Sequence, residues 1–127
     1  MNSFYPTKSF ELHQDRVHLT LDLIAVGADL LVLLTGGRAH LGATAVADFA
    51  GSLREPWLCQ LPGHREGELA ELFARSLAQA YQCKVQATVG IHYDQITQAE
   101  INQVLQLAEE LLKMACQAEV VSSFSRV

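Results

Sequence analysis

The sequence predicts an α+β domain, a mainly antiparallel β-sheet with two principal helices packed on it. Residues 16–23 alternate strictly between polar and apolar. Residues 68–81 and 97–116 repeat apolar positions at helical spacing, and most strand-like segments precede the first of them.

Met1 to Ser9 read as an extended lead-in, in which Pro6 discourages helix. From Arg16, Val17, Leu19, Leu21 and Leu23 share one face while Arg16, His18, Thr20 and Asp22 share the other, the pattern of a half-buried strand. Gly27-Ala28-Asp29 is a turn. The unbroken apolar run Leu30 to Leu34 then suggests a strand covered on both faces. Gly36-Gly37 suits a two-residue hairpin turn, which makes Ala39 to Phe49 the expected antiparallel partner of that strand. Gly42, Ala43, Ala45 and Ala47 would let a backbone or a flat ligand approach it closely.

Residues 50–67 form a polar connection around Pro56, Pro62 and Trp57, with room for a short strand near Leu58 to Leu61. In the first helix, Leu69, Leu72, Phe73, Leu77 and Ala80 define the expected buried face. Val85, Ala87, Val89 and Ile91 alternate as a strand. The second helix opens on the capping box Thr97-Gln98-Ala99-Glu100, with Ile96 and Ile101 as a hydrophobic staple. Its apolar face runs through Ile101, Val104, Leu105, Ala108, Leu111, Leu112 and Ala115, and it ends near Cys116. Residues 1–127 are thus expected to form one domain, with 1–9 as lead-in and 117–127 as a loose tail.

Composition excludes several classes. Half of the 127 residues are apolar and 18% are charged, enough to build a core without disulfides or a structural metal. The net charge is −5 and no basic stripe alternates with aromatics, which argues against nucleic acid. No apolar run is long enough to span a bilayer, and the N-terminus has no signal-like apolar region, so a cytoplasmic protein is expected. Cys59, Cys83 and Cys116 are odd in number and widely spaced, the pattern of free thiols. Nucleophile elbow, P-loop and dinucleotide fingerprints are all missing, so a non-catalytic protein is expected.

Three stretches carry chemistry: Gly36-Gly37-Arg38-Ala39-His40-Leu41-Gly42, Pro62-Gly63-His64-Arg65-Glu66, and Gly90-Ile91-His92-Tyr93-Asp94. Each offers an anionic ligand backbone N–H groups, an imidazole or a guanidinium. Each also has an ordinary structural reading, as a hairpin turn, a solvated loop or an Asp-initiated turn. His40, His64 and His92 are the only candidates for a divalent metal, although no HExxH or helical i, i+4 pair occurs.

In their order and spacing, these stretches, with Leu31 to Leu34 before the first and Gln95 to Thr97 after the last, resemble the small prenylated-flavin chaperones. That family includes the accessory D subunit of bacterial gallate decarboxylase, and the resemblance spans roughly Val17 to Cys116. It implies a fold similar to proteasome-assembly chaperones and a tendency to form homodimers. It also implies that prenylated FMN, made by a flavin prenyltransferase, is bound as cargo and delivered to a prenylated-flavin-dependent decarboxylase. The chemistry then belongs to the cofactor.

Carried onto this chain, the resemblance gives Gly36, Gly37, Arg38, His40, Gly42, His64, Arg65, Glu66, His92 and Asp94 as cofactor-binding residues. Arg38 and Arg65 would meet the flavin phosphate, with the Gly36-Gly37 backbone nearby. The histidines would contact phosphate or the isoalloxazine edge, or hold a phosphate-bridging metal. The small strand residues would leave room for the ring. Two other readings stand beside it: a protein-assembly chaperone with no small ligand, and a small metal-dependent enzyme built on His40, His64 and His92.

Overall fold

The computed structural model of the protein describes residues 7–49, 57–60 and 66–118. In chain order the elements are β1 (Thr7–Gln14), β2 (Val17–Val26), β3 (Asp29–Gly37), β4 (Ala43–Asp48), β5 (Trp57–Gln60), α1 (Gly67–Tyr81), β6 (Lys84–His92) and α2 (Gln98–Gln117). The strands form one mixed sheet in the order β1-β2-β3-β6-β4-β5. Every neighbouring pair is antiparallel except β3 and β6. The architecture is α+β, as the patterning implies.

Two tight turns set the first three strands. Asp15 and Gly27 adopt left-handed backbone angles (φ 54° and 60°), closing the β1–β2 and β2–β3 hairpins. Thr7 to Ser9, read above as lead-in, already belong to β1. Their neighbour in the sheet, β2, is the strand whose alternation was clearest.

The expected hairpin between β3 and the strand after Gly36-Gly37 does not form. β6 is inserted between β3 and β4, parallel to the first and antiparallel to the second. Only Gly37 has a left-handed angle (φ 62°), and it turns the chain out of β3 rather than back along it. Local turn chemistry gives no sign that a later strand will occupy the intervening place.

Both helices pack on one face. Val17, Leu19, Leu21 and Leu23 of β2, Leu30, Val32 and Leu34 of β3, and Val85, Ala87 and Val89 of β6 are buried beneath them. α1 lies over β4 and β6, and α2 over β1 and β2. Leu31 and Leu33 stay half-buried on the opposite, open face, so β3 is not fully covered on both sides as its apolar run suggested. Ala43, Ala45 and Ala47 face α1, so the small residues of β4 admit a helix and not a ligand.

The helix faces are rotated slightly from the sequence reading. α1 buries Ala70, Phe73, Ala74, Leu77, Ala78 and Tyr81, leaving Leu72 exposed and Leu69 half-buried. α2 buries Leu107 while Leu105 and Ile101 remain exposed. In both helices small alanines take positions at the closest approach, where a larger side chain would hold the layers apart. The capping box forms as expected: the Thr97 hydroxyl accepts from Glu100 N–H, and the Glu100 carboxylate accepts from Thr97 N–H. The staple residue Ile96 remains exposed, like Ile101.

Tyr81 ties the helices together by donating its hydroxyl to the Ala115 carbonyl at 2.5 Å. Burial pushes this phenol up to about 12. Phe73 sits fully buried between α1 and the sheet. Phe73→Ala is expected to cost about 3–5 kcal/mol, through lost transfer energy and the cavity left behind, as read by urea unfolding.

Candidate functional site

The hydrogen-bonded ends of β3 and β6 lie at the same edge of the sheet as the β1–β2 turn, because β3 is antiparallel to β2 and parallel to β6. The start of β4 is there too. Arg38, His40, His92 and Asp94 gather at this end of the sheet.

The 38–42 crossover from β3 to β4 passes over the end of β6. Arg38 N–H donates to the His92 carbonyl at 2.9 Å, and Gly42 N–H donates to the Val89 carbonyl at 3.0 Å. Between these anchors the His40 backbone rests on Gly90, where an added Cβ would collide with the His40 carbonyl. The Glu66 carboxylate similarly occupies the space that a Cβ on Gly42 would need. Glycine at both positions permits the close approach.

The side chains form a connected group. Arg38 Nη2 donates to both carboxylate oxygens of Asp94, at 3.0 and 3.2 Å. His92 Nε2 is 2.9 Å from Asp94 Oδ1. His40 Nδ1 lies 3.2 Å from the Arg38 carbonyl, and its Nε2 lies 3.7 Å from Glu66 Oε1. The His40 and His92 rings meet edge-on, with centroids 6.4 Å apart. The hydrogen bond from His92, and then the nearby Arg38 charge, hold the Asp94 carboxyl below its ordinary value.

Eight of the ten residues singled out from the sequence are described, and these come together: Gly36, Gly37, Arg38, His40, Gly42, Glu66, His92 and Asp94. His64 and Arg65 lie outside the described residues. Among the described residues no group of three or more His, Cys, Asp or Glu side chains is placed to hold a metal ion.

A second group was not visible in the sequence. The Tyr93 hydroxyl accepts from His18 N–H at 2.8 Å and donates to the His18 carbonyl at 3.0 Å. It thereby satisfies both backbone groups of β2 just where β3, whose last partner on β2 is Gly36 opposite Leu19, has turned away. The Arg16 guanidinium lies over the Tyr93 ring, 5.5 Å from its centroid. Arg16 also donates to the Asp94 carbonyl at 2.8 Å and pairs with both oxygens of Glu100. This ties the β1–β2 turn to the segment that carries Asp94. The nearest signal in sequence was that Tyr93 lies between His92 and Asp94; nothing local announces its partner 75 residues away.

The remaining ionisable groups give little sign of nucleophilic chemistry. Cys59, Cys83 and Cys116 are free. Burial pushes the Cys83 thiol up to about 11 and raises that of Cys116, which keeps both protonated. No helix of the described residues is long and apolar enough to cross a membrane.

Comparison with known proteins adds a family and a fold. A protein-family model described as the prenylated flavin chaperone LpdD-like domain matches residues 13–119. No curated protein matches the chain. Among solved structures, a chain from a chaperone complex for yeast 20S proteasome assembly superimposes with a TM-score of 0.55 at 9% identity. That match covers 88% of this chain and 95% of the other.

Two predictions test how the site is held. Gly90→Ala forces the His40 backbone away and is expected to cost about 1–3 kcal/mol, with amide shifts concentrated at 38–42 in NMR spectra. The Arg16 hydrogen bond, and then the Thr97 backbone, hold the Glu100 carboxyl near 2 instead of 4.5. A carboxyl depressed by folding stabilises the fold above its ordinary value, and the contribution disappears as pH falls through the folded value. Unfolding curves are therefore expected to show stability declining from about pH 4.5 towards 2, with a shallower decline in Glu100→Gln.

Proposed function

Because the chain belongs to the LpdD-like prenylated flavin chaperone family, we propose that it binds prenylated FMN as cargo and passes it to a prenylated-flavin-dependent decarboxylase of the gallate type. It performs no chemistry of its own. The observation that carries this reading is the meeting of Arg38, His40, His92 and Asp94 with the Gly36-Gly37 backbone at one end of the open sheet face.

The donor set suits the cargo. Arg38 spends one terminal nitrogen on Asp94, so the rest of its guanidinium fork is available for a phosphate. Its side chain is 71% exposed, so a phosphate reaches it without rearranging the core. In this reading Arg65 and His64 complete the phosphate end, and His40 and His92 border the flavin. The prenylated ring supplies the reactive chemistry once it is seated in the decarboxylase, while this chain binds it, orients it and limits its contact with water.

The open face supports assembly with a second copy. Ile24, Leu31, Leu33 and Val46 are half-buried on it, and a homodimer formed through this face would remove them from water. The site then lies at the margin of the interface. The decarboxylase and the prenyltransferase would meet the protein in the cytoplasm.

Co-expression with a flavin prenyltransferase tests the reading. Purified protein is expected to carry stoichiometric prenylated FMN, identified by its ultraviolet–visible spectrum and by the mass of the released ligand. It should also activate apo-decarboxylase when mixed with it. Colourless protein from cells with a working prenyltransferase would instead favour a protein-assembly role without a small ligand.

A further inference from the structure

We propose that a polar depression beside the charged cluster is a second binding subsite, built to take the neutral imide edge of a planar heterocycle. The depression holds about 280 Å³ and is lined by Arg16, His18, Thr20, Thr35, Tyr93 and the Gly36-Gly37 backbone. The inference rests on the flavin-carrier reading and extends it to the ring, for which the Arg38 cluster alone gives no hydrogen-bonding partner specific to a pyrimidinedione.

The depression arises from the local fold. β3 leaves β2 after Gly36, and the Gly36-Gly37 backbone lines the space left beside β2. Tyr93 closes one wall by bonding to the vacated backbone groups of His18, and Arg16 stacks on its ring. The floor is the open face of β2 and β3, where Thr20 and Thr35 stand directly opposite each other in the register.

That threonine pair differs from its counterpart on the same sheet. Thr44 and Thr88 are also cross-strand partners, but the Thr88 hydroxyl donates to Thr44 at 2.9 Å, and Gln86 donates to Thr44 as well. Among the described residues, no hydrogen bond engages the hydroxyl of Thr20 or Thr35. Both are half-buried. Two cross-strand threonines, each with a hydroxyl able to donate and accept, suit a ligand edge that alternates acceptor, donor and acceptor.

Charge favours a neutral group over a second anion. The basic groups lining the depression already face carboxylates: Arg16 pairs with Glu100, and His18 Nε2 lies 3.1 Å from Glu11. An incoming phosphate would have to compete with those partners. An uncharged imide needs only the hydroxyls and the unspent donors. The Arg16–Tyr93 stack offers a flat wall for an aromatic ring.

The test compares Thr20→Val/Thr35→Val with Thr20→Ser/Thr35→Ser. Valine keeps shape and strand propensity but removes both hydroxyls, and serine restores them. Affinity for prenylated FMN is measured by absorbance titration, and thermal unfolding checks that both variants fold. FMN methylated at the imide nitrogen, compared with FMN, probes the same edge from the ligand side.

The subsite predicts roughly tenfold or greater loss in the valine variant, near wild-type affinity in the serine variant, and weaker binding of the methylated ligand to the wild type. Wild-type affinity for prenylated FMN in the valine variant would overturn the subsite and leave the carrier reading standing. A wild-type protein that binds no flavin would overturn the carrier reading and the subsite together.

Discussion

The arrangement of the site depends on one steric fact: the β3–β4 crossover lies directly on β6. β6 enters between two strands that were formed earlier in the chain, so the 38–42 segment must pass over its end to reach β4. The passage is possible because Gly90 has no side chain where the His40 carbonyl sits. It is fixed by Arg38 and Gly42, whose N–H groups bond to β6 carbonyls on either side. The same geometry brings Arg38 and His40 from the first motif against His92 and Asp94 from the third. A strand pairing therefore assembles the cluster, and no metal or disulfide is needed to explain the convergence.

The cluster is built from charges that already have partners. Arg38 meets Asp94, and Arg16 meets Glu100. Exposed pairs of this kind contribute little to stability, because solvent screens them and long side chains lose freedom in forming them. Their value here is positional: Arg16 restrains the segment carrying Asp94, and Asp94 restrains Arg38 and His92.

Alternation and capping were legible in the sequence because they are local. The buried face of β2, the strand nature of β6 and the capping box at Thr97 each follow from residues within one or two turns of one another. Strand order was not legible in the same way. Gly36-Gly37 carries ordinary hairpin chemistry, and only the long-range competition of β6 for the edge of β3 overrides it. The helix faces shifted for a related reason. Leu72 and Leu105 match a helical stripe by hydrophobicity, but the alanines at 70, 74, 78 and 108 allow closer packing and so take the buried side. The motif residues could be picked out by their chemistry, whereas Arg16 and Tyr93 acquire theirs only through contacts between distant segments.

The two faces of the sheet differ in burial, and the difference follows from period two. On β2, β3 and β6, each residue that packs beneath a helix is followed by one that faces the open side. Leu19, Leu21 and Leu34 anchor the core, while their neighbours Thr20 and Thr35 present hydroxyls a single residue away. Rigidity comes from the buried face and is transmitted to the open one through the shared backbone. A flat ligand on that face thus meets groups whose positions are already set, and loses less in ordering its partners than it would on a loop. Under the proposed function the charged end and the threonine pair would have separate tasks, the first taking the phosphate and the second reading the edge of the ring.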